Sequence, residues 1–298
     1  MPVQDQQVRD QQGKRILITG ASSGLGLASA EQLAARGAQV VLAVRNRERG
    51  QAAAARIRAA VPDAELEIAD LDLSLQSSVR AFVDDQRGRD RLDVLINNAG
   101  ISMVRERTLT DDGFELQHAT NVLGHFSLVA GLLPALERSN GRVVWLSSVM
   151  AWVPRRVDPS FGLRGPYNPT LAYSQTKLSC GVLGLELDRR LRAAGSSVAS
   201  VLAHPGWSNT GLFAGQRGAI PKALHRLGAP LGSTAQDGAR SQVFAATAAL
   251  QGGEYIGPRW VGRGEPWQVR PRRLASDPTS GDILWPAAER ATGTTLQP

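Results

Sequence analysis

Six short apolar runs separated by helical patterns constrain this chain more than any other feature. The runs occupy residues 14–19, 38–44 (AQVVLAV), 65–69, 92–96 (LDVLI), 142–146 (RVVWL) and 197–203. Between them, helical periodicity covers 24–36, 46–60, 76–86, 111–137 and 172–193, with Asp111 placed to cap the fourth helix. A strand of about five residues that is apolar throughout must be covered on both faces, and helices between successive strands supply the cover. The order therefore specifies an α/β fold: a single doubly wound domain whose parallel sheet of about seven strands carries helices on both faces. The seventh strand is expected at 254–256, as the last edge of the sheet. A polar leader (1–13) precedes the domain (14–258). A C-terminal extension (259–298) is expected to pack over the bottom of the sheet.

Two stretches break the rhythm. Residues 150–170 and 206–232 are rich in Gly and Pro; the first carries Trp152, Phe161 and Tyr167, the second Trp207, Leu212 and Phe213. Both follow strands at the carboxyl edge of the sheet, where open α/β sheets bind their ligands. Loops this long are expected to frame the substrate rather than to fill space.

Composition narrows the function. The formal net charge is +7, from 34 basic and 27 acidic side chains. Arg is scattered over helix faces, however, and no dense basic run is interleaved with aromatics, which argues against nucleic-acid binding. An anionic cofactor would use part of the charge. Cys180 is the only cysteine, so neither an intramolecular disulfide nor a cysteine-based zinc cluster is available. It is expected to be a small buried apolar residue, and no metal site is expected. The first residues lack the basic and apolar regions of a signal peptide, and no stretch approaches about 18 consecutive apolar residues. A soluble, cytoplasmic protein without a membrane anchor is the expectation.

The segment Thr19-Gly20-Ala21-Ser22-Ser23-Gly24-Leu25-Gly26 lies between the first run and the first helix. Gly20 permits a sharp turn, Gly24 lets the backbone approach a pyrophosphate, and Gly26 lets the helix pack on the strand. The helix N-terminus then directs free N–H groups at the anion. The spacing, TGxxxGxG, differs from the commoner GxGxxG. After the second run, where an acidic residue would hold a ribose 2′-hydroxyl, the chain has Val44 followed by Arg45. A guanidinium fits a 2′-phosphate, so the expected cofactor is NADP(H), with Ser22, Ser23 and Leu25 in the loop that holds it.

Acid–base chemistry is expected at Tyr173 and Lys177. The sequence holds three Tyr, and only three Lys against 31 Arg. By chance, a Lys would stand four residues after a Tyr in about three such chains in a hundred. Spaced i, i+4 on one helix, the two side chains share a face. A free phenol titrates near pH ~10, too high for neutral acid–base work, and a fixed ammonium beside it favours the phenolate. A tyrosine so placed can give a proton to a carbonyl oxygen as hydride reaches the carbon.

In order along the chain stand TGxxxGxG, Asn97-Asn98-Ala99-Gly100, Ser147-Ser148, Tyr173 with Lys177, and His204-Pro205-Gly206. The series resembles the short-chain dehydrogenase/reductase superfamily over residues 14–258. Three details resemble its retinol-dehydrogenase-like branch. They are Arg45 within VVLAVRNRERG, the strings Asp112-Gly113-Phe114-Glu115 and Asn121-Val122-Leu123-Gly124-His125-Phe126, and the 25-residue gap from Ser148 to Tyr173.

The resemblance implies a Rossmann-type fold and a set of roles. Tyr173 would be the general acid–base, and Lys177 would bind the nicotinamide ribose and depress the tyrosine pKa. Ser148, rather than Ser147, would hydrogen-bond the substrate oxygen, and Asn121 would hold Lys177 through a water. For the cofactor it implies Asp72 and Leu73 against the adenine, and Asn97 on the ribose side with Ala99 and Gly100 in the same turn. Pro205, Gly206 and Thr210 would meet the nicotinamide carboxamide. His204 is expected to be structural, and His118 and His125 to pack their helix. Trp152 and Trp207 are expected at the pocket mouth, in keeping with an apolar substrate. The implied function is an NADP(H)-dependent oxidoreductase interconverting a hydrophobic aldehyde or ketone and its alcohol. Two alternatives stay open at this point: a cofactor-binding redox sensor without turnover, and an epimerase or dehydratase built on the same site. The resemblance also leaves a homo-oligomer open.

Overall fold

The computed structural model describes residues 10–89, 91–206, 234–260 and 263–296. Among them, eight strands form one sheet in the order β3-β2-β1-β4-β5-β6-β7-β8. These are β1 (Arg15–Thr19), β2 (Gln39–Val44), β3 (Leu66–Asp70), β4 (Val94–Asn97), β5 (Arg142–Leu146), β6 (Ala199–Ala203), β7 (Tyr255–Trp260) and β8 (Arg263–Val269). The first seven pair in parallel, and β8 runs antiparallel to β7.

Alternation along each strand feeds two cores. Ile16 and Ile18 of β1 face a layer containing α1 (Gly24–Ala34) and α2 (Arg47–Ala60), with α6 (Ala235–Thr247) beside them. Leu17 faces the opposite layer, built from α3 (Gln76–Arg87), α4 (Leu116–Arg138) and α5 (Pro169–Ala193). Strands buried on both sides need apolar residues at every position, which is why they read as unbroken runs. By length and composition α4 could cross a membrane, with a mean hydropathy of 1.4, yet 78% of its apolar window is buried inside the fold. The sheet order reverses between β1 and β4, and the crevice above their carboxyl ends is the ligand position in such sheets.

The carboxy-terminal end differs from expectation. The strand expected at 254–256 is not the edge: β8 extends the sheet by one more strand. The register sets Pro258 opposite Pro266, with an irregularity between Pro258 and Trp260. Prolines at facing positions leave two ladder donors missing, a loss that a short antiparallel edge tolerates and a central strand would not. The proline in 263–269 is therefore what hides this strand from a pattern search. Nor does the tail lie over the bottom of the sheet. Its helix α7 (Pro278–Thr292) packs on α5, with Trp285 edge-on to Phe126 of α4 at 5.2 Å and beneath the Arg190 guanidinium at 4.5 Å. Burial of Leu284 and Trp285 explains the docking, since a helix must bury its apolar stripe somewhere.

Asp111 does not cap α4. Gly113 takes a φ of 80° and turns the chain, and the helix starts at Leu116 with Glu115 as the capping residue, its carboxylate accepting from the His118 N–H at 2.9 Å. Asp112 instead accepts from the Gln76 N–H at 2.7 Å, at the start of α3.

Candidate active site

The cofactor end is built where β1 meets β4. Gly20 and Gly24 adopt φ values of 67° and 55°. Among the described residues a β-carbon at Gly24 would meet nothing within 4 Å, whereas one at Gly26 would lie 2.4 Å from the Gly20 carbonyl and 2.6 Å from Asn98 Nδ2. Gly24 thus keeps open space above the loop, and Gly26 permits close contact between helix and strand. Ser23 sits at the N-cap of α1 without a side-chain capping bond, so first-turn N–H groups are left for an anion. Ser22 and Leu25 flank it, both partly exposed.

Thr19 locks the two turns together. Its Oγ1 accepts from the N–H groups of Asn98 at 3.0 Å and Ala99 at 2.9 Å, and its carbonyl accepts from Asn98 Nδ2 at 2.7 Å. Asn97, at the end of β4, is buried with neither its amide oxygen nor its amide nitrogen paired among the described residues. A buried amide left unpaired is rare and costly. Open space at Gly24, an uncapped helix start and the unpaired Asn97 amide together fit a dinucleotide.

The remaining cofactor residues are spread around this crevice. Arg45 is exposed just past β2, while its neighbour Arg47 is taken by Asp70 at 2.9 Å. The carboxylate of Asp72 turns inward to accept from the N–H and hydroxyl of Ser74, and the Leu73 side chain is in the core. Pro205 is partly exposed after β6, and the Gly206 N–H donates to His204 Nδ1 at 3.1 Å. His204 is buried edge-on to Tyr255, and burial lowers its pKa to about 4. Thr210, Trp207 and the rest of 207–232 lie outside the described residues, as do residues 1–9 of the leader.

The catalytic end lies between β5 and α5. Asn168 caps α5, accepting from the Leu171 N–H at 3.0 Å with Pro169 in the first turn, so the helix starts before the 172 expected from periodicity. Tyr173 is buried beside Ser148, whose Oγ accepts from the Met150 N–H at 3.2 Å. Ser147 turns the other way and donates to the Lys177 carbonyl at 2.9 Å. Lys177 Nζ donates to the Leu146 carbonyl at 3.0 Å and stands 5.9 Å from the Tyr173 ring centre. Burial pushes the Tyr173 phenol above its ordinary range, against the opposing pull of Ser148. Burial likewise lowers Lys177. In the structure, then, desolvation governs the phenol rather than the ammonium expected to depress it.

Asn121 sits in a π-wound turn, Ala119–Leu123, inside α4. Its Oδ1 accepts from the Ile101 N–H at 2.8 Å, and its Nδ2 donates to the Ile101 carbonyl at 2.9 Å and to Thr176 Oγ1 at 3.0 Å. It approaches Lys177 only across Gly100, where a β-carbon would lie 3.2 Å from Asn121 Oδ1 and 3.6 Å from Lys177 Nζ. A side chain at 100 would fill that gap. Cys180 is buried, but it is more than a small apolar filler: its thiol donates to the Asn121 carbonyl at 3.2 Å.

The loop before α5 is docked on the start of α4. Tyr167 accepts from Gln117 Nε2 at 2.9 Å and shares its proton between the Val104 carbonyl at 2.9 Å and Glu115 Oε1 at 3.2 Å. Glu115 Oε2 accepts from His118 Nδ1 at 2.7 Å. Burial works to raise the Glu115 pKa, but the hydrogen bond and charge of His118 outweigh it and hold the carboxyl below its ordinary range. Gly162 and Phe161 close over the His118 ring, the phenyl edge-on at 6.2 Å. Trp152, at the other end of the loop, is 59% exposed. Sequence reasoning missed Thr19 and Tyr167 as parts of the site because their partners are remote in the chain, and Glu115 because Asp111 offers the same capping chemistry four residues earlier. The i, i+4 spacing of Tyr173 and Lys177 was legible beforehand.

Comparison with known proteins agrees with this geometry. The family model for short chain dehydrogenases matches residues 14–163. The chain is 36% identical over 290 residues to polyprenol dehydrogenase of Mus musculus, spanning 95% of this chain and 85% of that one. Against retinol dehydrogenase 12 of Homo sapiens the identity is 34% over 275 residues, spanning 92% and 84%. A crystal structure of an uncharacterized protein from Mycobacterium paratuberculosis aligns with a TM-score of 0.82 at 39% identity, covering 100% of this chain and 99% of that one. A short chain dehydrogenase from Burkholderia cenocepacia J2315, solved in complex with NADP, gives 0.65 at 26% identity, covering 86% and 99%. The chain belongs to the short-chain dehydrogenase/reductase family of oxidoreductases, in its retinol-dehydrogenase-like branch.

Proposed function

We propose that this protein is an NADP(H)-dependent oxidoreductase that interconverts a hydrophobic aldehyde or ketone and its alcohol, with Tyr173 as general acid–base. The observation that carries the reading is the buried Tyr173 phenol beside Ser148 and an anchored Lys177. Tyr173 above its ordinary range stays protonated at neutral pH, so it is ready to give a proton to a carbonyl oxygen. Ser148, partly exposed at the end of β5, holds that oxygen beside the phenol. A bound nicotinamide supplies or accepts the hydride. Gly24 and the open start of α1 take the pyrophosphate, and Lys177 and Asn97 reach toward the riboses.

NADP(H) over NAD(H) is supported by Arg45, which is exposed next to β2 with no acidic residue in its place. Exposed Trp152 at the loop end supports an apolar substrate, as do the names of the relatives that act on polyprenol and retinol. A cytoplasmic location is part of the same proposal, and cell fractionation tests it.

The test is oxidation of NADPH and NADH over a panel of aldehydes and ketones. NADPH is expected to be favoured in kcat/KM by at least about tenfold, and Arg45→Ala to abolish most of that preference. An NADH preference would sink the cofactor assignment. Cofactor binding without turnover on any carbonyl would sink the enzymatic one.

A further inference from the structure

Three separate elements meet around one imidazole. His125 is buried on α4, one turn after Asn121, with its ring edge-on to Trp145 at 6.5 Å. Asn121 lies in the π-wound turn Ala119–Leu123. Its backbone carbonyl accepts from His125 Nδ1 at 3.0 Å and from the Cys180 thiol at 3.2 Å. A carbonyl can only accept, so Nδ1 carries the ring proton and Nε2 is left as an acceptor. Nε2 stands 2.9 Å from Thr19 Oγ1. The Thr19 hydroxyl already accepts from the N–H groups of Asn98 and Ala99, so its one proton goes to an acceptor, and the ring at 2.9 Å is nearer than the Ile96 carbonyl at 3.4 Å. Each link has one donor and one acceptor. The series runs from the turn after β4, through the end of β1, to the Asn121 carbonyl.

We infer that His125 is a positioning residue for the oxidoreductase reaction: its imidazole couples the glycine-rich cofactor loop, through Thr19, to the Asn121 turn beside Lys177. The inference rests on the proposed function for its cofactor arm. Two features make the coupling specific to this ring. The imidazole offers a donor and an acceptor at fixed separation, which neither an aliphatic nor a phenyl side chain supplies. Burial also lowers its pKa to about 4, so at neutral pH the ring is uncharged and Nε2 stays free to accept. Helix packing alone would need none of this, since a phenyl ring of similar size fills the space beside Trp145.

Two measurements on the full chain test the relay. Nitrogen-15 NMR, with the His125 signal assigned by its loss in His125→Phe, reads the tautomer without any cofactor. The expected result is a neutral ring protonated at Nδ1; protonation at Nε2, or a charged ring at neutral pH, overturns the inference. The second is a double-mutant cycle on NADPH affinity with Thr19→Val and His125→Phe, at a temperature where circular dichroism shows every variant folded. Each single change is expected to weaken binding about tenfold, and the double variant to be within about twofold of either. Unchanged affinity in Thr19→Val, or losses that multiply in the double variant, overturns it. His125→Gln, which keeps a donor and an acceptor, is expected to bind within about threefold of the original chain; a Gln variant no better than Phe counts against the relay. Should His125→Phe fail to fold, His125→Leu takes its place in the cycle, and loss of signal in His125→Gln assigns the spectrum. Should the original chain bind neither NADPH nor NADH, the functional reading fails, and the tautomer alone decides the relay.

Discussion

Lys177 Nζ is held by the Leu146 carbonyl at 3.0 Å and faces the Tyr173 ring from 5.9 Å, one helical turn away. The ammonium is therefore fixed to the end of β5 before any ligand is considered. The buried phenol of Tyr173, with Ser148 close by, stands beside it. In the proposed reaction these positions separate the residue that binds from the residue that exchanges a proton.

Tyr173→Phe removes the proton and leaves the anchored lysine in place. NADPH affinity should stay within about threefold, while kcat for carbonyl reduction falls on the order of 10²–10⁴-fold. Because Tyr173 is pushed above its ordinary range, the reduction rate of the original chain should be flat from about pH 7 to about pH 9. Single-turnover rates across that range check both statements, and near-normal turnover in the variant would refute the assignment.

Gly24 and Gly26 should fail in different ways. Gly26→Ala drives a β-carbon into the Gly20 carbonyl and the Asn98 amide. Overpacking of this kind costs about 1–3 kcal/mol and should lower Tm by about 5 °C. Gly24→Ala meets no atom of the described residues within 4 Å but keeps a positive φ, a strain of about 1 kcal/mol. Its larger effect should be on NADPH binding, weakened about tenfold by a methyl group in the ligand's space. Calorimetry on both variants separates the two effects.

Tyr167→Phe should loosen the loop without touching the chemistry. It deletes the hydroxyl that joins Val104, Glu115 and Gln117, at a cost of about 1 kcal/mol. Amide exchange over 155–167 should quicken while the peptides of α5 keep their protection. Unchanged exchange in the loop would show that this contact does not hold it.

Acid should destabilise the fold earlier than carboxylates alone would. Burial lowers His125 and His204 to about 4, below the ordinary value near 6.5. The unfolded chain takes up these protons first, so stability is intact above about pH 6.5 and is lost as the pH falls toward 4, by about 3 kcal/mol for each ring. Below that window Glu115 and Asp158, whose carboxyls lie under their ordinary range, continue the loss. Urea titrations from pH 7.5 to pH 4.5 should show the slope, reduced by about half in His125→Phe. A pH-independent midpoint would contradict the assignment of buried neutral rings.

The layered fold was legible because burial on two faces writes itself into sequence as continuous apolar runs, as in β1 and β2. Asn168 and Pro169, by contrast, lie in a stretch that reads as loop, so the start of α5 was placed too late. Glu115 was unreadable as a cap because Asp111 offers the same chemistry four residues earlier, and only the turn at Gly113 decides between them. In β8, Pro266 suppresses the strand signal, and its pairing with β7 is a tertiary event.

The sequence alone determined the parallel sheet, the glycine loop and the pairing of Tyr173 with Lys177, because period and spacing fix which side chains share a strand face or a helix turn. Tertiary structure decided what those groups experience. Thr19 and His125 are far apart in the chain, yet they share a hydrogen bond at the centre of the site. The phenol of Tyr173 is set by the water that folding removes around it, and no local pattern records that loss.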